Sequence, residues 1–199
     1  MRHHIPTVAV LVLAAAVLLV GCSSDKGPAE LAIKAAEDAF DAAKAEAAKY
    51  VPDQVKAVES ALAAVKDKFA KTDYKAALTE AGAIPAKVKE LTAAAAAKKE
   101  ELTKAWGRLS EDLPKVVEAI QSRMDILAKA KKLPANLTAE TFEQAKAGLA
   151  AIQQQWGQAQ EAFQGANLTD AVAKAGGVKA KVKEVLEALG MPVPDALKS

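Results

Sequence analysis

Side chains that commonly carry out covalent or metal chemistry are scarce in this sequence, and they lie near its start. Cys22 is the only cysteine, and the two histidines are His3 and His4. Residues 23–199 contain neither residue type, which excludes Ser–His and Cys–His catalysis, conventional zinc sites and histidine-ligated haem there. The Glu-x-x-His motif of di-iron helical bundles is excluded for the same reason. We therefore expect no enzyme activity, and no catalytic, cofactor-binding or metal-binding residue is predicted.

Cys22 ends a segment that has the features of a secretory signal. Residues 1–4 form a short basic start, and residues 8–20 are an almost unbroken apolar run that is too short to span a membrane comfortably. The run ends in Leu19-Val20-Gly21-Cys22. This string resembles the lipobox of bacterial lipoproteins, so residues 1–21 are predicted to be a lipoprotein signal peptide. The alternatives are an ordinary cleaved signal and an uncleaved anchor with an incidental cysteine.

The resemblance implies cleavage before Cys22, attachment of diacylglycerol to its thiol and acylation of the new amino group. Several acyl chains give a stable membrane anchor, because each buried methylene contributes about 0.8 kcal/mol. Ser23 follows the cysteine where, in enteric bacteria, an aspartate would favour retention in the inner membrane, so in a cell with two membranes the periplasmic face of the outer membrane is the expected location. Residues 22–28 would form a lipidated, flexible tether.

The composition of the 199-residue chain predicts an all-α protein. It is 51% hydrophobic, 26% charged and only 4% aromatic, and its abundant Ala, Leu, Lys and Glu are strong helix formers. The net charge is +2, and removal of Arg2 with the signal leaves 26 basic and 25 acidic side chains. Since the two signs alternate along the chain, nucleic acid is not an expected partner. The predicted architecture is an elongated antiparallel bundle of five or six helices.

Apolar residues at spacings of three and four, with capping and breaking residues between them, divide residues 29–190 into helices. The approximate bounds are 29–50, 52–71, 73–106, 110–132, 138–164 and 169–190. It stays open whether the first two segments form one kinked helix or two separate helices. Pro52 suits the first turn of a new helix. Gly107 is expected to end the third helix, and Gly82 and Pro85 to bend it. Residues 191–199 are expected to form an extended tail.

The sequence also matches itself at an offset of 94 residues. The string Ala-Lys-Val-Lys-Glu at residues 86–90 recurs at residues 180–184, and Gly82 falls on Gly176. Two hairpins, at about residues 52–106 and 138–190, are therefore predicted to be copies of one unit. The shared glycine suggests a common bend or a close helix contact. Chance alignment of two Ala/Lys-rich helices is the alternative.

These features favour a non-enzymatic, membrane-anchored envelope lipoprotein that acts as a helical protein-interaction or structural module. A partner protein is expected, and Trp106 is the candidate contact because it lies beside Gly107 at an expected helix end. The alternative is a periplasmic carrier of lipid or another apolar ligand. Covalent attachment to peptidoglycan through a terminal lysine is disfavoured, because Lys198 is followed by Ser199.

Overall fold

The computed structural model describes residues 25–198, so Cys22 and the predicted signal peptide lie outside the described residues. Within that range the chain forms five α-helices and a short 3-10 turn, and no β-strand is present. The all-α prediction is confirmed. The elements are α1 (Lys26–Ala47), α2 (Pro52–Ala70), α3 (Tyr74–Lys129), α4 (Ala139–Gln164), α5 (Leu168–Ala188) and the 3-10 turn (Asp195–Leu197).

Helix α3 has 56 residues, which corresponds to a length of about 84 Å at 1.5 Å per residue. The prediction that Gly107 ends a helix and that a new one starts at Ser110 is wrong, because α3 continues through both residues. The apolar spacing runs across this point, since Leu102, Trp106 and Leu113 are all buried. A glycine inside a helix costs only about 1 kcal/mol, and burial of apolar residues on both sides outweighs that cost.

Two three-helix bundles share α3. The N-terminal bundle consists of α1, α2 and the first half of α3, and its core reaches along α3 as far as Ala95. The C-terminal bundle consists of the second half of α3 with α4 and α5, and its core begins at Trp106. Short connections make successive helices antiparallel. The two cores therefore lie end to end along one helix.

The turn between α2 and α3 closes with a Schellman motif, in which Asp73 N donates to Lys68 O and Thr72 N donates to Phe69 O, both at 3.0 Å. Thr72 has the left-handed φ of 64° that this motif requires, and the Asp73 side chain then caps α3. The turn between α4 and α5 repeats this arrangement 94 residues later. Its bonds are Asn167 N to Ala162 O at 2.9 Å and Ala166 N to Phe163 O at 3.0 Å, with Ala166 at a φ of 59° and Asn167 as the cap.

The buried positions of the two hairpins also correspond at the offset of 94. Six positions along α3 are buried, and so are the six positions 94 residues later, on α5 and at its C-cap. The pairs are Ala77 with Ala171, Ala81 with Ala175, Ile84 with Val178, Val88 with Val182, Leu91 with Val185 and Ala95 with Leu189. The hairpins thus share turn geometry and core positions, while their origin by duplication stays a prediction.

The shared glycines do not mark a close helix contact. Gly82 and Gly176 are exposed, and a Cβ built on either would meet no atom within 4 Å. The close contact lies elsewhere: Gly148 is buried in α4, and a Cβ there would come within 2.6 Å of Val185 Cγ2 on α5. Absence of a side chain at Gly148 is what allows α4 and α5 to approach.

The N-terminal bundle is also held by ion pairs between helices. Lys44 on α1 lies 2.6 Å from Glu59 on α2, and this hydrogen bond raises the pKa of Lys44. These side chains are partly exposed, where solvent and salt screen the attraction, so each pair adds little to stability. Further pairs between helices are Lys66 with Glu37, Lys68 with Glu80 and Lys99 with Glu46.

The tail after α5 packs against the C-terminal bundle. Residues 191–194 have no regular secondary structure, and Pro194 is extended, but the 3-10 turn that follows places Leu197 in the core with 1% of its surface exposed. Met191 and Val193 pack against the same core. The predicted extended tail is therefore docked rather than free, a packing that local sequence signals did not indicate.

Two glycine substitutions should have opposite effects on stability. Both variants gain helix propensity, but in Gly148→Ala the overpacking against Val185 opposes that gain, so this variant should be less stable than Gly176→Ala by about 1–3 kcal/mol. Urea denaturation followed by tryptophan fluorescence measures this, since Trp106 and Trp156 both pack in the C-terminal bundle. Val185→Ala should partly rescue Gly148→Ala. Equal midpoints for the two glycine variants would contradict the close approach of α4 and α5.

Candidate functional site at the junction of the two bundles

The turn between α1 and α2 meets the turn between α4 and α5 beside the middle of α3. At this junction the Thr169 hydroxyl donates a hydrogen bond to the backbone carbonyl of Lys49, with an oxygen–oxygen distance of 2.9 Å. An open cleft of about 670 Å³ lies between the turns. Its polar lining includes Lys49, Tyr50, Asn167, Thr169 and Asp170. Residues of both bundles thus line the same cleft.

The sequence Tyr50-Val51-Pro52 shapes one wall of this cleft. Val51 N donates to Ala47 O at 2.8 Å and ends α1. Val51 then leaves the helical region, with a φ of −137°, because the proline that follows disfavours helical geometry at this position. Pro52 starts α2 at a position where a backbone donor is not needed. The question of one kinked helix or two is settled by this turn, since α1 and α2 are separate helices.

A charged group fixes the same turn to α3. The Glu46 carboxylate accepts hydrogen bonds from Lys99 Nζ at 2.8 Å and from Lys49 Nζ at 3.0 Å. Lys99 Nζ also lies 5.8 Å from the centre of the Tyr50 ring, within reach of a cation–π interaction. The hydrogen bond from Lys99, followed by that from Lys49, lowers the pKa of Glu46. The bond to Glu46 raises the pKa of Lys99, so the pair is fully charged at neutral pH.

Three aromatic rings stack beside the junction. The Trp106 ring centre lies 5.6 Å from that of Trp156 and 4.6 Å from that of Phe163, and both pairs are tilted by only 12°. Trp156 and Phe163 are seven residues apart on α4, a rise of about 10.5 Å that leaves room for one ring between them. The Trp106 ring therefore lies between the two rings of α4.

The structure places Trp106 differently from the expectation that its indole faces a partner. Only 8% of its surface is exposed, and it belongs to the core of the C-terminal bundle. The aromatic residue with an accessible ring is Phe163, which is 45% exposed. Helical spacing places Phe163 seven residues after Trp156 on the same stripe of α4, but Trp156 packs against the core and Phe163 stays accessible.

The junction presents exposed side chains suited to noncovalent contacts. Among residues 25–198, no polar or charged side chain is buried, and no group of three or more His, Cys, Asp or Glu side chains could hold a metal ion. The groups on offer are exposed hydroxyl, amide, carboxylate, ammonium and aromatic groups. Such groups form hydrogen bonds, ion pairs and ring contacts with a partner surface.

A comparison with models of known families, with curated proteins and with solved structures finds no match to this chain. None of the helices in the described range combines the length and the apolarity needed to cross a membrane.

The Glu46–Lys99 pair should stabilise the N-terminal bundle in a pH-dependent way. Because folding lowers the pKa of Glu46, its contribution is present above the ordinary value of 4.5 and is lost as pH falls through the lowered value. Glu46→Gln should therefore reduce the urea midpoint at pH 7 and have little effect near pH 2. Far-UV circular dichroism measures both. Glu111→Gln is the control, since Glu111 pairs with Lys115 on the same helix, and an equal pH-dependent loss there would contradict the assignment.

Proposed function

We propose that this protein is a non-enzymatic, lipid-anchored lipoprotein of the bacterial cell envelope whose helical domain acts as a protein-interaction or structural module. The observation that carries the proposal is Leu19-Val20-Gly21-Cys22 at the end of an apolar run of signal-peptide length. Cleavage and acylation at Cys22 would attach everything after it to a membrane by its N-terminus. Residues 23–199 lack His and Cys, which supports a role that requires no catalysis.

The position of the first helix supports attachment through one end of the molecule. Helix α1 begins at Lys26, four residues after Cys22, and a chain of that length spans at most about 14 Å. Ala29 near the start of α1 packs with Ala77 near the start of α3. Helix α3 therefore starts at the anchored end of the molecule. It is about 84 Å long, and its second half belongs to the C-terminal bundle.

Such a geometry suits an arm that presents its far end to a partner. If the long axis stands away from the membrane, the junction and the C-terminal bundle become accessible to other envelope components. The exposed Phe163 ring and the polar cleft beside Tyr50 and Thr169 offer aromatic and hydrogen-bonding contacts there. Aromatic groups of this kind are enriched in protein interfaces.

The alternative, a carrier of lipid or another apolar ligand, would use the alanine-lined groove between α1 and α3. That groove has a volume of about 270 Å³ and is lined partly by Ala43, Ala47 and Ala95. Small-molecule sites usually measure about 300–1,000 Å³, and widening this groove would separate α1 from α3. An interaction or structural role agrees better with its size.

Lipidation of Cys22 is tested by mass spectrometry of the full-length gene product purified from cell envelopes. We expect a mature N-terminus at Cys22 with a mass increase that corresponds to diacylglycerol and an amide-linked acyl chain. Cys22→Ser should abolish the acyl groups, whereas the neighbouring change Ser23→Ala should leave them in place. A mature chain with an unmodified thiol at Cys22 would contradict the anchor.

The module role is tested by crosslinking in native envelopes followed by purification, with Cys22→Ser as the unanchored control. We expect a defined protein partner whose yield falls in the control. Copurified lipid without a protein partner would favour the carrier alternative instead.

A further inference from the structure

The part of α3 between the two cores has few packed side chains, and its tie to the N-terminal bundle is the exposed ion pair of Lys99 with Glu46 near its start. The core of the N-terminal bundle ends on α3 at Ala95, and the core of the C-terminal bundle begins at Trp106. Of the ten residues between them, seven are exposed and only Leu102 is buried. The exposed residues are Ala96, Ala97, Lys99, Glu100, Glu101, Thr103 and Lys104. A segment with so few packed side chains opens locally at low cost.

Residues in this segment and shortly after it weaken the helix. The Thr103 hydroxyl donates to Lys99 O at 2.7 Å, a back-bond that tends to bend helices. Gly107 has low helix propensity, and it lies in open space, since a Cβ there would meet no atom within 4 Å. Pro114 lacks the donor that would bond to Ser110 O. Three kinds of weak point thus occur within twelve residues of α3.

Outside α3, the described contact between the bundles is small. The Thr169 hydroxyl donates to Lys49 O at 2.9 Å, and both residues are exposed. Around this bond lies the open cleft of about 670 Å³ rather than a packed apolar interface. Relative motion is the usual behaviour of two cores joined by a small polar interface.

We propose that residues 96–105 of α3 form a hinge between the two bundles, and that the hydrogen bond from Thr169 to Lys49 holds the closed form. In the open form the turns separate, and the cleft surfaces that carry Tyr50 and Leu168 become exposed to solvent. Each bundle keeps its own core during this motion, because no core residue of one bundle comes from the other side of the hinge. The hinge does not depend on whether Cys22 is acylated.

The hinge is tested by pulsed electron–electron double resonance on the full-length protein in detergent micelles. Nitroxide labels on Ala57→Cys in α2 and Gln160→Cys in α4 report on the separation of the turns, since both positions are exposed and lie on opposite sides of the cleft region. Mass spectrometry verifies two labels per chain. We expect a closed distance and a longer, less populated open distance in the otherwise unchanged protein.

Thr169→Val removes the hydroxyl that holds the closed form. Loss of one hydrogen bond should raise the ratio of open to closed molecules by about two- to tenfold. Thr79→Val is the matched control, because the Thr79 hydroxyl also donates to a lysine carbonyl, that of Lys75, at 2.9 Å, but does so within α3 and far from the junction. The control should leave the distances unchanged.

Gly107→Ala acts in the opposite direction and keeps the test decisive if Thr169→Val folds poorly. The added methyl favours the helix, so the open population should fall about fourfold. A single narrow distance that no variant changes would overturn the hinge. An equal response of Thr79→Val and Thr169→Val would overturn the assignment of Thr169 as the holding contact.

Discussion

The uninterrupted helix α3 sets the positions of both bundles. One face of its first half carries Ile84 and Leu91 into the core of the N-terminal bundle, and its second half carries Leu113 and Ile120 into the core of the C-terminal bundle. Because a helix advances 1.5 Å and turns 100° per residue, the number of residues between the cores sets both their distance and their relative rotation. The meeting of Lys49 with Thr169, 120 residues apart, follows from that spacing.

The two bundles stabilise the same topology by different means. The N-terminal bundle buries many alanines, whose small apolar area contributes little each, and it adds ion pairs between helices such as Lys44 with Glu59. The C-terminal bundle instead inserts Trp106 between two aromatic rings and closes its far end with Leu197. Salt should therefore weaken the first bundle more than the second, because partly exposed ion pairs are screened.

Apolar spacing predicted the helical class and most helix positions, because burial of one stripe is the main reason that these segments fold. The predicted bounds 138–164 agree with α4, which Thr138 caps and which ends before Gly165. The local signals failed at Gly107, where a stop signal worth about 1 kcal/mol competes with packing on both sides. That failure also misplaced Trp106, whose apparent position at a helix end suggested exposure. Since α3 continues, the ring falls on the buried stripe.

The junction could not be predicted from the sequence. Which turns meet depends on the helix lengths and on the rotation between the bundles, and neither Lys49 nor Thr169 carries a local signal for the other. The internal match at 94 residues did indicate related hairpins, and the shared turn geometry at Thr72 and Ala166 shows how far that likeness extends. It did not indicate that α3 belongs to both bundles.

Native-state hydrogen exchange most directly tests the claim that two separate cores share one helix with a weak middle. We expect amides near Ile84 and near Ile120 to exchange through two distinct opening reactions with different denaturant dependence. Amides of residues 96–105 should exchange faster than either set. A single opening free energy shared by all amides of α3 would show that the two cores are not separate units.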